Sequence, residues 1–130
     1  MTLADLCLLG AVAIIIGTIG IAKAQGRGRF DNARPRDPEF YKDPFRARAL
    51  WAHQNGIESF PLFAAAVILA EMRGARQPVV DALAAAFLLV RIAYVAAYLA
   101  DRPRLRSAVF ALGFAVTLAI FFTPLWAAGR

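Results

Sequence analysis

The sequence predicts an all-α integral membrane protein folded as a bundle of four transmembrane helices. The residue types Ala, Val, Ile, Leu, Met, Phe, Trp, Tyr and Cys make up 60% of its 130 residues, and charged residues make up 18%. A typical soluble domain is about 45–50% apolar and about 25% charged. This composition therefore excludes a disordered chain and disfavours an ordinary soluble domain. The charged residues also fall mainly between long apolar runs, as expected for a membrane bundle.

Four apolar runs account for the predicted helices. A helix needs about 20 apolar residues to cross the hydrocarbon core, which is about 30 Å thick, because each residue adds about 1.5 Å. The intervening segments contain too few residues for a soluble domain, so we expect a single membrane domain over residues 1–130. A long polar loop (23–48) follows the first run, whereas the later connections are short. The runs cover residues 3–22, 49–70, 78–100 and 107–128.

The four runs differ in how polar they are. The first contains Asp5 as its only charge and has no basic residue ahead of it, so we expect a retained helix and not a signal peptide. The second is the most polar and includes His53, Asn55 and Glu58. The third contains Arg91 inside the span, and the fourth has no charged residue. Ionisable groups within a span are costly and are usually functional or paired.

The basic residues predict the orientation in the membrane. Eleven of the fifteen Lys and Arg residues lie in the first and third connections, whereas only Arg73, Arg76 and Arg130 lie on the opposite side. The positive-inside rule places the two basic connections in the cytoplasm and both termini outside. Although the net charge is +6, this distribution argues against a nucleic-acid partner. One cysteine and one histidine exclude a disulfide framework and a multi-histidine metal site, and no metal is expected.

The polar residues of the second and third runs are expected to converge. Asn55 and Glu58 share a helix face, and Glu58 and Arg91 each lie nine residues, or about 13 Å, from the cytoplasmic end of their runs. Tyr94 and Tyr98 continue the stripe of Arg91. The sequence therefore predicts a polar pocket in the cytoplasmic third, fit for an anionic ligand from the cytosol and an apolar substrate from the lipid. The alternative is structural: Glu58 and Arg91 neutralise one another, and the arginines at the rim anchor the protein to headgroups.

Two further patterns carry structural predictions. His53 lies about 200° around the helix from Asn55, at about 100° per residue, so we expect a polar contact near the membrane interface and not catalysis. The small residues of the first run would allow another helix to approach closely. This small-residue series consists of Ala13, Gly17, Gly20 and Ala24.

Three motifs in register resemble the MAPEG superfamily, the membrane-associated proteins of eicosanoid and glutathione metabolism. The first runs from Ala52-His53-Gln54-Asn55 through Glu58 to Pro61-Leu62-Phe63. The second is Arg91-Ile92-Ala93-Tyr94 with Tyr98, and the third is Leu105-Arg106-Ser107. The segment Phe30-Asp31-Asn32, with Pro35-Arg36, is similar to a bacterial branch of the superfamily, which implies the inner membrane as its location.

The resemblance implies a homotrimer of four-helix subunits that binds glutathione between subunits, near the cytoplasmic face. It implies that Arg106 stabilises the glutathione thiolate, with Arg104 as the fallback position, and that Ser107 lies beside the thiol. It also implies that one basic residue of the first helix, Lys23 or Arg27, takes part. The other residues implied to hold glutathione are Asn55, Glu58, Arg91, Tyr94 and Tyr98.

The resemblance leaves three functions to weigh. The first is a glutathione-dependent transferase or peroxidase acting on lipophilic electrophiles or lipid hydroperoxides. The second is a non-enzymatic binding or scaffold protein for lipophilic ligands, favoured because Trp51 stands where many glutathione-using members have arginine, with Arg48 one turn earlier as a possible substitute. The third is a small proton-coupled exporter, which rests on the intramembrane carboxylate of Glu58 alone.

Overall fold

The structure is a computed structural model in which residues 1–128 are described. These residues form four long α-helices and one short 3-10 helix, Phe40–Lys42. Each long helix is long and apolar enough to cross a membrane, which confirms the predicted four-helix membrane fold. The helices are α1 (Leu3–Gln25), α2 (Pro44–Met72), α3 (Gln77–Leu99) and α4 (Pro103–Trp126).

α1, α2 and α4 extend beyond their apolar runs at one end of the bundle. We call this the basic end; it contains the loop 26–43 and the turn between α3 and α4. α2 begins at Pro44 and not at Ala49, because the Asp43 carboxylate accepts hydrogen bonds of 3.0 Å from the backbone N–H groups of Phe45 and Arg46. Apolar runs identify only the part of a helix that lies in hydrocarbon, whereas caps and first-turn prolines set its true start. The loop is therefore shorter than the predicted 23–48.

α4 departs from the predicted run at both of its ends. It begins at Pro103, four residues before Ser107, with the proline in the first helical position. It ends at Trp126, two residues before Ala128. The carbonyl of Ala127 instead accepts a hydrogen bond of 2.8 Å from the Arg76 backbone, which ties the end of α4 to the start of α3.

The core lies between all four helices, toward the end opposite the loop. Phe63 of α2 and Phe87 of α3 are buried and stack with their ring centroids 3.9 Å apart. Val80 and Ile120 are fully buried beside them. α1 contacts α2 and α3, and α4 contacts α2 and α3, so the two central helices link the outer pair.

Close packing of α1 depends on other glycines than those in the predicted small-residue series. A Cβ added to Gly56 would lie 2.8 Å from the Ile15 side chain, and one added to Gly10 would lie 2.8 Å from Leu88. By contrast, a Cβ at Gly17 or Gly20 would meet no atom within 4 Å among the described residues. No helix of the same subunit packs against these two glycines, so the close approach of another helix to this series stays a prediction.

The end opposite the basic end is held by a network of polar contacts. The Asp81 carboxylate of α3 accepts a hydrogen bond of 2.8 Å from the Ala4 backbone, in the first turn of α1. The Gln77 amide donates to both Asp81 and Glu71, at 3.0 and 2.8 Å. Backbone N–H groups at a helix start lack partners within the helix. Asp81 thus caps α1 from a different helix and fixes the two helices relative to one another.

Candidate functional site

A pocket of about 210 Å³ opens between α2, α3 and α4; we call it the helix pocket. Its polar lining is formed by Asn55, Glu58 and Arg91, toward the basic end. The remaining lining residues come from all three helices and are mainly apolar. The predicted amide, carboxylate and cation therefore line one cavity with an apolar wall, whereas Tyr94 and Tyr98 do not line it. The remaining lining residues are Ser59, Leu62, Phe87, Phe110, Gly113, Phe114 and Thr117.

The buried cation of the helix pocket is paired with an amide. Arg91 is only 6% exposed, and its Nη1 donates a hydrogen bond of 3.0 Å to Oδ1 of Asn55. Glu58 lines the same pocket but is exposed. Within residues 1–128 Glu58 and Arg91 form no ion pair, so the mutual neutralisation considered from the sequence does not occur inside the subunit. Asn55 lies one turn nearer the basic end on the same face of α2, and it accepts the hydrogen bond of the guanidinium instead.

A column of two tyrosine side chains between two arginine side chains leads from the helix pocket to the basic end. The guanidinium carbon of Arg91 lies 4.4 Å from the centroid of the Tyr94 ring. Tyr94 and Tyr98 meet edge to face, with their centroids 5.6 Å apart, and Arg106 lies 4.6 Å from the Tyr98 centroid. Aromatic faces attract cations through the ring quadrupole. We call these four residues the Arg–Tyr column; it positions Arg106 at the head of α4.

The other predicted residues at the head of α4 are less constrained. The side chains of Arg104 and Ser107 are exposed, whereas Arg106 is half-buried. Trp51 is 50% exposed and does not line the helix pocket. Arg48 reaches toward the turn between α3 and α4, where its Nη1 lies 3.9 Å from Oδ2 of Asp101.

A second cavity, of about 570 Å³, lies between α1, α2 and the loop; we call it the loop cavity. It contains the predicted basic residue Lys23 and shares no lining residue with the helix pocket. Arg27, the alternative, is exposed in the turn after α1. Burial raises the pKa of the Tyr41 phenol, so this group remains a neutral donor. The cavity is lined by Ile19, Lys23, Pro35, Arg36, Tyr41, Leu50, His53, Gln54 and Ile57.

His53 belongs to the loop cavity and is held by α1. Its Nδ1 lies 2.8 Å from the carbonyl oxygen of Ile15, which confirms the expected polar contact. A carbonyl can only accept, so Nδ1 carries the hydrogen. The sequence pattern did not indicate a ligand site at Arg36, Tyr41 or His53. Only the position of His53, on the far side of α2 from Asn55, indicated a second polar face.

The described residues lack a cluster suited to a metal ion. Among residues 1–128, no group of three His, Cys, Asp or Glu side chains could hold one. The single cysteine, Cys7, is buried in the core between the helices.

The fold and the helix pocket define a multi-pass integral membrane protein with four helices and a polar cavity near one end. The MAPEG family model matches residues 3–126, so the chain belongs to the MAPEG family. No curated protein matches the chain. Proteins of this family generally use glutathione. Membership therefore supports a membrane function in glutathione-related transferase or peroxidase chemistry, or a related activity, in general terms.

Proposed function

We propose that the protein is a glutathione-dependent membrane transferase or peroxidase acting on lipophilic electrophiles or lipid hydroperoxides. The observation that carries the proposal is the buried Arg91, held by Asn55 in a pocket that also presents the exposed carboxylate of Glu58. Glutathione carries an ammonium group, two carboxylates and a thiol. A cavity with fixed charges of both signs is complementary to such a zwitterion.

Arg106 supplies the chemistry in this proposal. A nearby positive charge lowers the pKa of a thiol, and the thiolate is the reactive nucleophile. Arg106 is the better candidate than Arg104 because the Tyr98 ring holds it in place. Ser107, the next residue along α4, donates a hydrogen bond from its hydroxyl group to the thiolate sulfur. Arg91 and Glu58 bind a carboxylate and the ammonium group of glutathione, respectively.

The two reactions share the thiolate as their first nucleophile. In transfer, the sulfur forms a bond to an electrophilic carbon while the leaving group departs with its electron pair and takes up a proton. In peroxide reduction, the thiolate attacks the terminal oxygen of the hydroperoxide, the O–O bond breaks, and a proton completes the alcohol. The glutathione sulfenic acid then reacts with a second glutathione to give the disulfide and water. The apolar part of the helix pocket receives the lipophilic substrate from the bilayer.

A complete site in this proposal requires two subunits of a homotrimer. Lys23 lines the loop cavity, whereas Asn55, Glu58 and Arg91 line the helix pocket, and the two cavities lie on different faces of one subunit. A glutathione molecule that contacts both sets must therefore lie between copies. The exposed glycines Gly17 and Gly20 leave room on α1 for a neighbouring helix.

The first test is thermal unfolding of the detergent-purified protein with millimolar reduced glutathione. A ligand at 100 times its dissociation constant stabilises by about 2.7 kcal/mol, which appears as a higher midpoint. Oxidised glutathione is the control, and we expect the shift to be selective for the reduced form. The absence of any shift with reduced glutathione would contradict the proposal.

The second test measures glutathione conjugation in Arg106→Ala, with Arg102→Ala as the matched control. Removing a group that stabilises developing or bound negative charge costs about 10²–10³-fold in turnover. We expect a loss of this order in Arg106→Ala, with an unchanged unfolding midpoint. Arg102 is exposed at the same helix end, so its variant should keep the wild-type rate. A wild-type rate in Arg106→Ala would reject its assigned role.

A non-enzymatic role in binding lipophilic ligands is the second candidate. It is favoured by Trp51, whose exposed indole adds no cation where many glutathione-using members have arginine. This alternative predicts that lipophilic ligands, but not glutathione, stabilise the protein. A glutathione conjugation rate well above the uncatalysed rate would eliminate it.

A further inference from the structure

Arg46, in the first turn of α2, occupies an unfavourable position for a cation. It is only 7% exposed, and the positive end of the α2 dipole disfavours a cation at this point. Its Nε donates a hydrogen bond of 2.6 Å to the Phe40 carbonyl, and its Nη1 donates one of 2.9 Å to Oε1 of Gln25. Both acceptors are neutral. Arg46 forms no ion pair among residues 1–128, although Asp31, Asp37 and Glu39 line a neighbouring cavity together with it. Its direct contacts with Phe40 and Gln25 therefore point to a role in positioning.

The group that Arg46 positions is the Phe40 ring. The guanidinium carbon lies 4.8 Å from the ring centroid. The ring also packs so closely on Gly26 that a Cβ there would collide with it. Phe30 and Tyr41 contact Phe40 edge to face, at centroid distances of 5.2 and 4.9 Å. Arg46 therefore holds an aromatic cluster of Phe30, Phe40 and Tyr41 between the end of α1 and the start of α2.

This aromatic cluster positions the cations of the loop cavity. The Lys23 ammonium lies 4.6 Å from the centroid of the Phe30 ring. The Tyr41 hydroxyl donates a hydrogen bond of 3.3 Å to the carbonyl of Pro35, the residue before Arg36. Lys23, Tyr41 and Arg36 all line the loop cavity. A chain of contacts thus runs from Arg46 through Phe40 to the Lys23 side chain and to the backbone next to Arg36.

We propose that Arg46 is a positioning residue for the loop cavity, which it shapes for a carboxylate-bearing ligand by fixing the aromatic cluster. The inference rests on the proposed function, in which this cavity contributes part of the glutathione site. Arg46 acts through Phe40 and does not touch the ligand. Loss of Arg46 therefore weakens the binding of glutathione while the thiolate, held by Arg106 in another part of the site, reacts at its normal rate.

The test is a steady-state comparison of wild type, Arg46→Gln and Arg46→Lys, with Lys42→Gln as the control. We expect the KM for glutathione to rise at least about fivefold in Arg46→Gln, with kcat within about twofold of wild type. Lysine should not restore the wild-type KM, because an ammonium does not provide the fixed fork of donors that reaches Phe40 and Gln25 together. Lys42 is exposed and lies outside the cavity, so its variant should keep the wild-type KM.

A second variant tests the position of the Phe40 ring while Arg46 is left intact. Gly26→Ala places a methyl group against the Phe40 ring and should also raise the KM for glutathione. Met72→Ala, at an exposed position where α2 ends, opposite the basic end, is its control. This pair keeps the proposal testable if Arg46→Gln fails to fold.

The outcomes separate this proposal from the proposed function. If wild type binds glutathione and both Arg46→Gln and Gly26→Ala keep its KM, the role of Arg46 is refuted and the proposed function stands. A fall in kcat at constant KM would also refute the role of Arg46. If wild type does not bind glutathione at all, both proposals fail together.

Discussion

Arg91 of α3 donates a 3.0 Å hydrogen bond to Asn55 of α2, and this contact joins two helices at the level of the helix pocket. Because the amide is neutral, it does not neutralise the guanidinium charge, which can still interact with a ligand. Glu58, exposed in the same pocket, provides the opposite charge. The cavity therefore combines separated charges with an apolar wall, which matches the pairing of a zwitterionic thiol with a lipophilic substrate.

The Asn55–Arg91 contact is expected to stabilise the subunit. Asn55→Ala leaves the buried guanidinium without its amide acceptor, and a hydrogen bond to a charged group contributes about 1.5–3 kcal/mol. We expect the free energy of unfolding, measured by titrating SDS into mixed micelles, to fall by about 2 kcal/mol. Gln54→Ala, at the exposed neighbouring position, should change it little. Equal values for the two variants would contradict this account of Arg91.

The stacked pair of Phe63 and Phe87 is expected to be a main packing contact of the core. Phe63 is fully buried with its ring centroid 3.9 Å from that of Phe87. Phe63→Ala leaves a cavity and should lower the free energy of unfolding by about 3 kcal/mol. The same measurement on Phe122→Ala provides the control, because Phe122 is exposed on α4. A Phe63→Ala protein as stable as Phe122→Ala would show that the stack contributes little.

Two glycines in different surroundings should respond in opposite directions to alanine. Gly56→Ala places a Cβ 2.8 Å from Ile15, and overpacking of this kind costs about 1–3 kcal/mol. In the monomeric subunit, Gly17→Ala meets open space and alanine is the better helix former, so stability should rise slightly. SDS titration of both variants distinguishes the two positions. A destabilised Gly17→Ala protein would instead indicate that a neighbouring subunit packs against this glycine.

Asp43 should make stability depend on pH in the acidic range. Hydrogen bonds from the backbone N–H groups of Arg46 and Phe45, together with the Arg46 charge, hold the pKa of Asp43 below its ordinary value. A lowered folded-state pKa stabilises the protein above the unfolded pKa of about 3.9, and the effect is lost as the pH falls through the folded value.

The Asp43→Asn variant isolates the electrostatic part of this effect, because an asparagine side chain keeps the capping geometry but carries no charge. We expect wild type to have the higher unfolding midpoint at pH 6 and the difference to shrink as the pH falls below about 4. Because the two proteins share every other titratable group, the difference between their midpoints at each pH removes the contributions of those groups. A difference that stays constant from pH 6 to the acid limit would rule out this linkage.

The four helices and the convergence of polar residues were predictable because both depend on local pattern. Apolar runs of about 20 residues specify spans. Matched depths and the helical period correctly brought Glu58 and Arg91 to one cavity. The true start of α2 was also readable in principle, since Asp43 and Pro44 form a cap followed by a first-turn proline.

The remaining features depend on contacts that the local pattern does not contain. Asn55 and Glu58 lie about one helical turn apart on α2. The side-chain conformation of Arg91 decides which of the two it contacts, and the sequence does not specify that conformation. The direction in which Gly17 points depends on how α1 is rotated against its neighbours. Phe40 packs on Gly26 and Arg46 beside the loop cavity, and these residues are separated from Phe40 by 14 and 6 positions in the chain.

The hydrogen bond between His53 and the Ile15 carbonyl makes the imidazole a built-in reporter of ligand entry into the loop cavity. Because Nδ1 is engaged by this carbonyl, Nε2 is the ring nitrogen that a ligand can contact. In a ¹⁵N spectrum of the labelled protein, a ligand that enters this cavity should therefore move the Nε2 resonance far more than that of Nδ1. One histidine in the whole chain leaves that signal free of overlap.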